Sequence, residues 1–226
     1  MLENLRSVHI DTIDLAQEIA DVDMMNYDVT DHWFPECALY SAGVIAERIN
    51  QYGFEFWISD FDSNAAWDYL YDKRDLAKII YDTCGYEYSL PIPECTDGMQ
   101  FTLEHNGSMR QGTFDEVFLQ TPSDSDFVTF PYHGFSTVGN FPLYNYHNLN
   151  TQENEGKRLL IIADSFSWIL SGYLASGIEY VDVIHNASYT SSIREYIREI
   201  KPDMVLIIYS DAEFSEAYTE QAYLFE

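Results

Sequence analysis

Arg158-Leu159-Leu160-Ile161-Ile162, followed at once by Ala163-Asp164-Ser165-Phe166, is the stretch whose reading decides the fold. A short apolar run without alternation reads as a strand buried on both faces, the kind found inside parallel sheets. The pattern then repeats. A helix over Phe166 to Ala175, a strand over Tyr180 to Ile184, a helix over Ser192 to Ile200 and a strand over Met204 to Tyr209 make two βαβ units sharing the middle strand. Right-handed crossovers make such strands parallel and adjacent, and ligands bind beyond their carboxyl ends. Those ends carry Asp164 and Ser165, then His185, Asn186 and Ser188, then Ser210, Asp211 and Glu213.

Upstream, residues 9 to 20 read as an incoming strand and helix, with Ile13, Leu15, Ala16 and Ile19 on one helical face. Pro35 suits the first turn of a helix, and Ala38, Leu39, Ala42, Ile45, Ala46 and Ile49 recur at helical spacing until Tyr52-Gly53 ends it. Between about residues 54 and 150 the chain is rich in aromatics, Asp, Asn, Gly and Pro, with strand-like pieces at Met99 to Leu103, Glu116 to Leu119 and Phe127 to Phe130. That region reads as an insertion of short strands and long loops in a single α/β domain spanning residues 1–226. Its aromatics, among them Trp57, Trp67, Tyr69, Tyr71, Tyr132 and Tyr144, suit either a sugar-binding cleft or packing of the insertion itself.

A hydrophobic fraction of 46% and an aromatic fraction of 16% argue for a folded core, despite 38 acidic residues against 11 basic ones and a net charge of -27. Such a charge repels phosphate backbones and anionic headgroups, so nucleic acid is excluded as a partner. No run approaches the roughly 20 apolar residues that span a bilayer, and Met1 to Asp11 lacks a basic segment followed by an apolar one. The sequence therefore predicts no membrane insertion by this chain and shows no signal segment. The three cysteines, Cys37, Cys84 and Cys95, match no zinc spacing; a Cys84 to Cys95 disulfide and three reduced thiols are both open readings.

Ser165 stands where a buried strand gives way to a helix, which exposes its hydroxyl and sets it beside backbone N–H groups able to hold an oxyanion. Asp and Ser are also preferred helix caps, so the segment alone fits simple helix initiation too. Asp28-Val29-Thr30-Asp31-His32-Trp33 supplies an imidazole with carboxylates close by, making His32 a candidate general base and Asp31 or Asp28 the carboxylate that orients it. Asn186, at the end of the neighbouring strand, is a candidate side-chain donor to the oxyanion alongside the Ser165 backbone N–H. Gly-x-Ser-x-Gly, Gly-x-Gly-x-x-Gly, the phosphate-loop pattern and His-Glu-x-x-His are absent. A hard-cation site from Asp28, Asp31, His32 and Asp164 is conceivable, but acids are so abundant that such a cluster by chance is unsurprising; no metal or organic cofactor is expected.

Thr30-Asp31-His32-Trp33 with Pro35 and Ala38, the segment Gly156 to Ser167, and Ile193 to Tyr209 with Lys201-Pro202-Asp203 together resemble the DHHW family and the related AlgX/AlgJ-like SGNH hydrolase domains. In that group the Asp-His motif precedes the Gly-Asp-Ser-like motif, as it does here. The resemblance covers roughly residues 20 to 55 and 156 to 214. It implies a three-layer α/β/α flavodoxin-like sandwich with a serine triad, in proteins that act outside the cytoplasm on cell-surface or secreted polysaccharide by O-acetyl transfer or ester hydrolysis. Ser165 matches the nucleophile and His32 the base. Aligning Trp33 with the family Trp leaves Thr30 where the Asp is expected, so either Asp31 or Asp28 fills that role.

Two further departures stand out. Ala163 replaces the usual Gly before Asp-Ser, and Asn186-Ala187-Ser188-Tyr189 lacks the Arg of many relatives. The sequence thus points to a serine-dependent carbohydrate O-acetyltransferase or acetylesterase acting on an acylated glycan. A non-catalytic glycan-binding or surface-assembly protein on the same fold is the competing reading.

Overall fold

The computed structural model describes residues 2–20, 35–55, 100–105, 107–118, 142–151 and 154–208. Helix α1 (Leu2–Ser7) and helix α2 (Leu15–Ala20) lead to the long helix α3 (Pro35–Asn50). Strands β1 (Phe101–His105) and β2 (Ser108–Gly112), the short helix α4 (Phe114–Phe118) and strand β3 (Leu143–Asn148) follow. The last part runs β4 (Arg158–Ala163), α5 (Ser167–Ala175), β5 (Tyr180–His185), α6 (Ile193–Ile200) and β6 (Met204–Ile208).

The six strands form one sheet in the order β2-β1-β3-β5-β4-β6. The strands of the two βαβ units are parallel, as read from the sequence, and β4 lies beside β5, but β6 pairs with β4 and not with the expected β5, because the connection through α6 crosses over β4 to its other edge. The sheet as a whole is mixed rather than parallel, because β1, β2 and β3 from the middle of the chain pair antiparallel to their neighbours and extend it past β5. A hairpin strand can join an existing sheet edge without a crossover helix, which is why the middle region adds strands of the opposite direction.

Strand β4 explains why the sheet needs cover on both sides. Leu159, Ile161 and Ala163 face one apolar cluster, shared with Val181 and Val183 of β5, Phe101 and Leu103 of β1, and Tyr144 and Tyr146 of β3. Helix α3 lays Ala38, Leu39, Ala42, Ile45, Ala46 and Ile49 onto that cluster, the helical face legible in the sequence, and α5 and α4 complete it. Leu160 and Ile162 face the other way, with Ile184, and are covered by Ile193 and the apolar stripe of α6. Side-chain amides close the gaps between elements. Asn148 Nδ2 donates to the carbonyls of Ala175 and Ser176 at 3.1 and 3.0 Å, satisfying the end of α5. Asn154 Nδ2 reaches Glu55 and Gly177 carbonyls at 2.8 and 2.7 Å.

Two local expectations fail for identifiable reasons. Glu116 to Phe118 is helical, not extended, because Thr113 and Glu116 form a capping box in which Glu116 Oε2 accepts the Thr113 N–H at 2.9 Å. The spacing Thr-x-x-Glu was present in the sequence and outweighs the strand propensity of Val117 and Phe118. Residues 9 to 14 form no strand. His9 turns the chain with φ of 64°, Ile10 is exposed, and Asp11 ties this stretch to the end of α3 through Arg48 Nη1 at 3.2 Å and Tyr52 OH at 2.8 Å. The strand-like piece Phe127 to Phe130, together with Cys84 and Cys95, lies outside the described residues.

On the α6 side a buried ion pair fastens β4 to β5. Asp182, 2% exposed, accepts from Arg158 Nη1 at 2.7 Å and from Tyr196 OH at 3.0 Å. The Arg158 guanidinium also lies 4.3 Å from the centre of the Tyr180 ring. Arg158 keeps partial contact with water whereas Asp182 does not, so the two partners are not equivalent. Arg158→Met, which strands a buried carboxylate, is expected to cost about 3 kcal/mol of unfolding free energy. Asp182→Asn keeps a hydrogen-bonding side chain and leaves a partly hydrated cation, so it should cost clearly less; urea unfolding of both variants measures the difference.

Candidate active site

The carboxyl ends of β4 and β5 bring together Asp164, Ser165, His185 and Asn186. Strand register pairs Ala163 directly with His185, and the Asn186 N–H donates to the Ala163 carbonyl at 2.9 Å. That bond clamps the turn after β5 against the last residue of β4. Ser165 and Asn186, separated by twenty residues of chain, therefore share one rim of the sheet, as the sequence expected.

The turn carrying Ser165 is organised by Asp164. Its Oδ1 accepts the Phe166 N–H at 2.9 Å, an Asx-type turn, and its carbonyl accepts both the Ser167 N–H at 3.2 Å and the Ser167 Oγ–H at 2.9 Å. Phe166 is the residue at the helix cap and its side chain makes no capping bond, so α5 begins one residue later than the periodicity indicated. Asp164, 6% exposed, performs the local stabilisation through its carbonyl and its carboxylate, and Ser165 lies half-buried beside it. Beneath the turn, Tyr144 OH lies 3.2 Å from Ser167 Oγ, both residues fully enclosed. Tyr144, weighed from the sequence as a cleft aromatic, is core. Burial pushes its phenol up to about 12.

Ala163 needs no glycine. It is the last strand residue, fully buried, and its φ is not positive, so an alanine here leaves the turn undistorted.

His185 is the residue the sequence left underused: its position at a strand end was legible, its surroundings were not. It shares parity with Val181 and Val183 and so projects to the α5 side, where its ring stacks on Trp168 with centroids 5.8 Å apart and planes 20° from parallel. Nδ1 lies 3.1 Å from Ser188 Oγ. Burial lowers its pKa below the ordinary 6.5, and the nearby Asp164 carboxylate opposes that shift.

His32, Asp31 and Asp28 lie outside the described residues, as do Ser210, Asp211, Glu213, Trp57, Trp67, Tyr69, Tyr71 and Tyr132. Of the four residues of the conceivable cation site only Asp164 is described, and no group of three or more His, Cys, Asp or Glu side chains suited to a metal occurs among the described residues. No helix among the described residues is long and apolar enough to cross a membrane.

No protein-family model and no curated protein matches the chain. Solved structures do. A DHHW family protein from Eubacterium siraeum superposes with a TM-score of 0.54 and 15% identity, covering 90% of this chain and 68% of that one. The resemblance read from the motifs thus extends to the fold. PatB1 from Bacillus cereus superposes with the same TM-score of 0.54 at 20% identity, covering 99% of this chain and 76% of that one. At these identities the likeness is one of fold alone; among the described residues this chain has an α/β architecture on a mixed six-stranded sheet.

A neutral buried imidazole makes the site's surroundings sensitive to acid. Because the folded pKa of His185 is depressed, its contribution to stability is present above 6.5 and is lost as pH falls through the lowered folded value. NMR titration should show His185 titrating below 6.5, and Asp164→Asn, which removes the opposing charge, should move that midpoint lower still.

Proposed function

We propose that this chain is a serine-dependent carbohydrate O-acetyltransferase or acetylesterase that acts outside the cytoplasm on a cell-surface or secreted polysaccharide. The observation that carries the reading is the position of Ser165: a half-buried serine on a tight turn at the end of an interior parallel strand, one residue before a helix cap, with Asn186 on the adjacent strand end. The full arrangement we propose is a single three-layer flavodoxin-like domain with an insertion at about 54–150, supported by helices packed on both faces of the sheet.

In this reading Ser165 Oγ attacks the carbonyl carbon of an acetyl ester while His32 takes the hydroxyl proton, and Asp31 or Asp28 fixes the imidazole tautomer. The Ser165 backbone N–H and the Asn186 side-chain amide hold the oxyanion. Collapse expels the alcohol, which takes the proton from His32, and leaves acetyl-Ser165. Water or a sugar hydroxyl, deprotonated by His32, then attacks the acetyl group and releases Ser165. No metal or organic cofactor enters these steps. The acidic surface suits a neutral or cationic glycan better than a polyanion.

The fold likeness to a DHHW family protein and to PatB1 supports this reading, as does the undistorted turn at Ala163, which removes one reason to favour a non-catalytic glycan binder. Hydrolysis of a chromogenic acetate ester is the test. Ser165→Ala and His32→Ala should each lower kcat/KM by at least about 10³-fold, and Asn186→Ala by roughly 10²-fold, in proteins that keep the wild-type fold. Equal rates in wild type and Ser165→Ala, with acetylated polysaccharide as well as the small ester, would leave glycan binding as the function.

A further inference from the structure

We infer that Tyr144 and Ser167 are positioning residues: a buried donor chain from Tyr144 through Ser167 to the Asp164 carbonyl aims the Ser165 backbone N–H at the oxyanion. The inference rests on the reading of Ser165 as the nucleophile.

The direction of the chain follows from proton count. The Asp164 carbonyl can only accept, so the Ser167 hydroxyl, 2.9 Å away, spends its single proton there. Ser167 Oγ then has only lone pairs to offer Tyr144 OH at 3.2 Å, which makes the phenol the donor. Tyr144 is 1% exposed and Ser167 is 0% exposed, so water does not compete for either group. With its phenol pushed up to about 12, Tyr144 keeps its proton throughout the pH range in which esters are hydrolysed enzymatically.

The geometrical consequence lies in the peptide plane. The Asp164 carbonyl and the Ser165 N–H belong to one planar trans peptide unit and point in opposite directions, so fixing one fixes the other. Three hydrogen bonds converge on Asp164, two at the carbonyl and one at Oδ1, and together they remove the rocking of that peptide. Donation into the carbonyl also draws electron density toward its oxygen, which strengthens the same peptide's N–H as a donor. An oxyanion hole works by pre-organisation, so a donor held this way gains in the transition state and not in substrate binding.

The test is a double-mutant cycle of Tyr144→Phe, Ser167→Ala and the pair, read by ester hydrolysis and by amide hydrogen exchange. Tyr144→Phe keeps the ring and its packing and removes only the hydroxyl. Each single variant should lower kcat about tenfold with KM within about twofold, and the double variant should match Ser167→Ala alone, because the chain reaches the Asp164 carbonyl through the Ser167 hydroxyl. Exchange at the amides of Ser165 to Trp168 should quicken about tenfold in each variant while α6 exchanges as in wild type. Wild-type kcat and wild-type exchange in both single variants would overturn the inference. So would additive losses in the double variant. Should wild type and Ser165→Ala prove equally inactive, it is the catalytic reading that fails, and unchanged exchange at the turn would then separately refute the donor chain.

Discussion

Burial of β4 on both faces is the constraint from which the rest of this structure follows. Leu159, Leu160, Ile161, Ile162 and Ala163 are each fully enclosed, alternating between two apolar clusters. A strand of that kind needs a partner along each edge and a helix over each face. Strands β5 and β6 supply the edges; α3 with α5, and α6, supply the faces. With its body enclosed, β4 meets polar surroundings at its two ends, through Arg158 at the start and at the carboxyl end where the chain turns through Asp164 and Ser165.

The part of the fold visible in the sequence is the part governed by continuous burial. The run from Arg158 to Ile208 specifies strand, helix, strand, helix, strand through apolar clustering and periodicity alone, and α3 declares itself through the spacing of Ala38, Ala42, Ile45 and Ile49. The sheet's antiparallel half was less legible. The signal at Met99 to Leu103 is real, but β1 and β3 bury apolar residues against a core built mainly by distant segments, β2 adds no buried residue, and pairing among the three is a tertiary fact. The helix at Phe114 was announced by Thr113 and Glu116 and obscured by the apolar residues that follow.

The candidate site divides in the same way. A serine at a strand-to-helix turn and an asparagine at the next strand end are consequences of topology, so Ser165 and Asn186 were readable. What supports them was not. Nothing local marks Tyr144 as the residue beneath Ser167, because twenty-three positions separate them and the contact exists only once β3 joins the sheet. The stack of Trp168 on His185 depends similarly on α5 returning over β5. The turn itself rests on one residue. Asp164 ends the strand and starts the helix through its own hydrogen bonds, which releases Ser165 from the capping role its residue type would otherwise suggest.

The most direct measurement of the central claim is covalent capture of the nucleophile. The folded wild-type protein, incubated with a fluorophosphonate and digested for mass spectrometry, should carry one adduct, on Ser165, and the labelling should disappear in His32→Ala, whose serine has lost its base. Absence of any adduct on Ser165 under conditions that label a known serine esterase, or equal labelling with and without His32, would contradict the account.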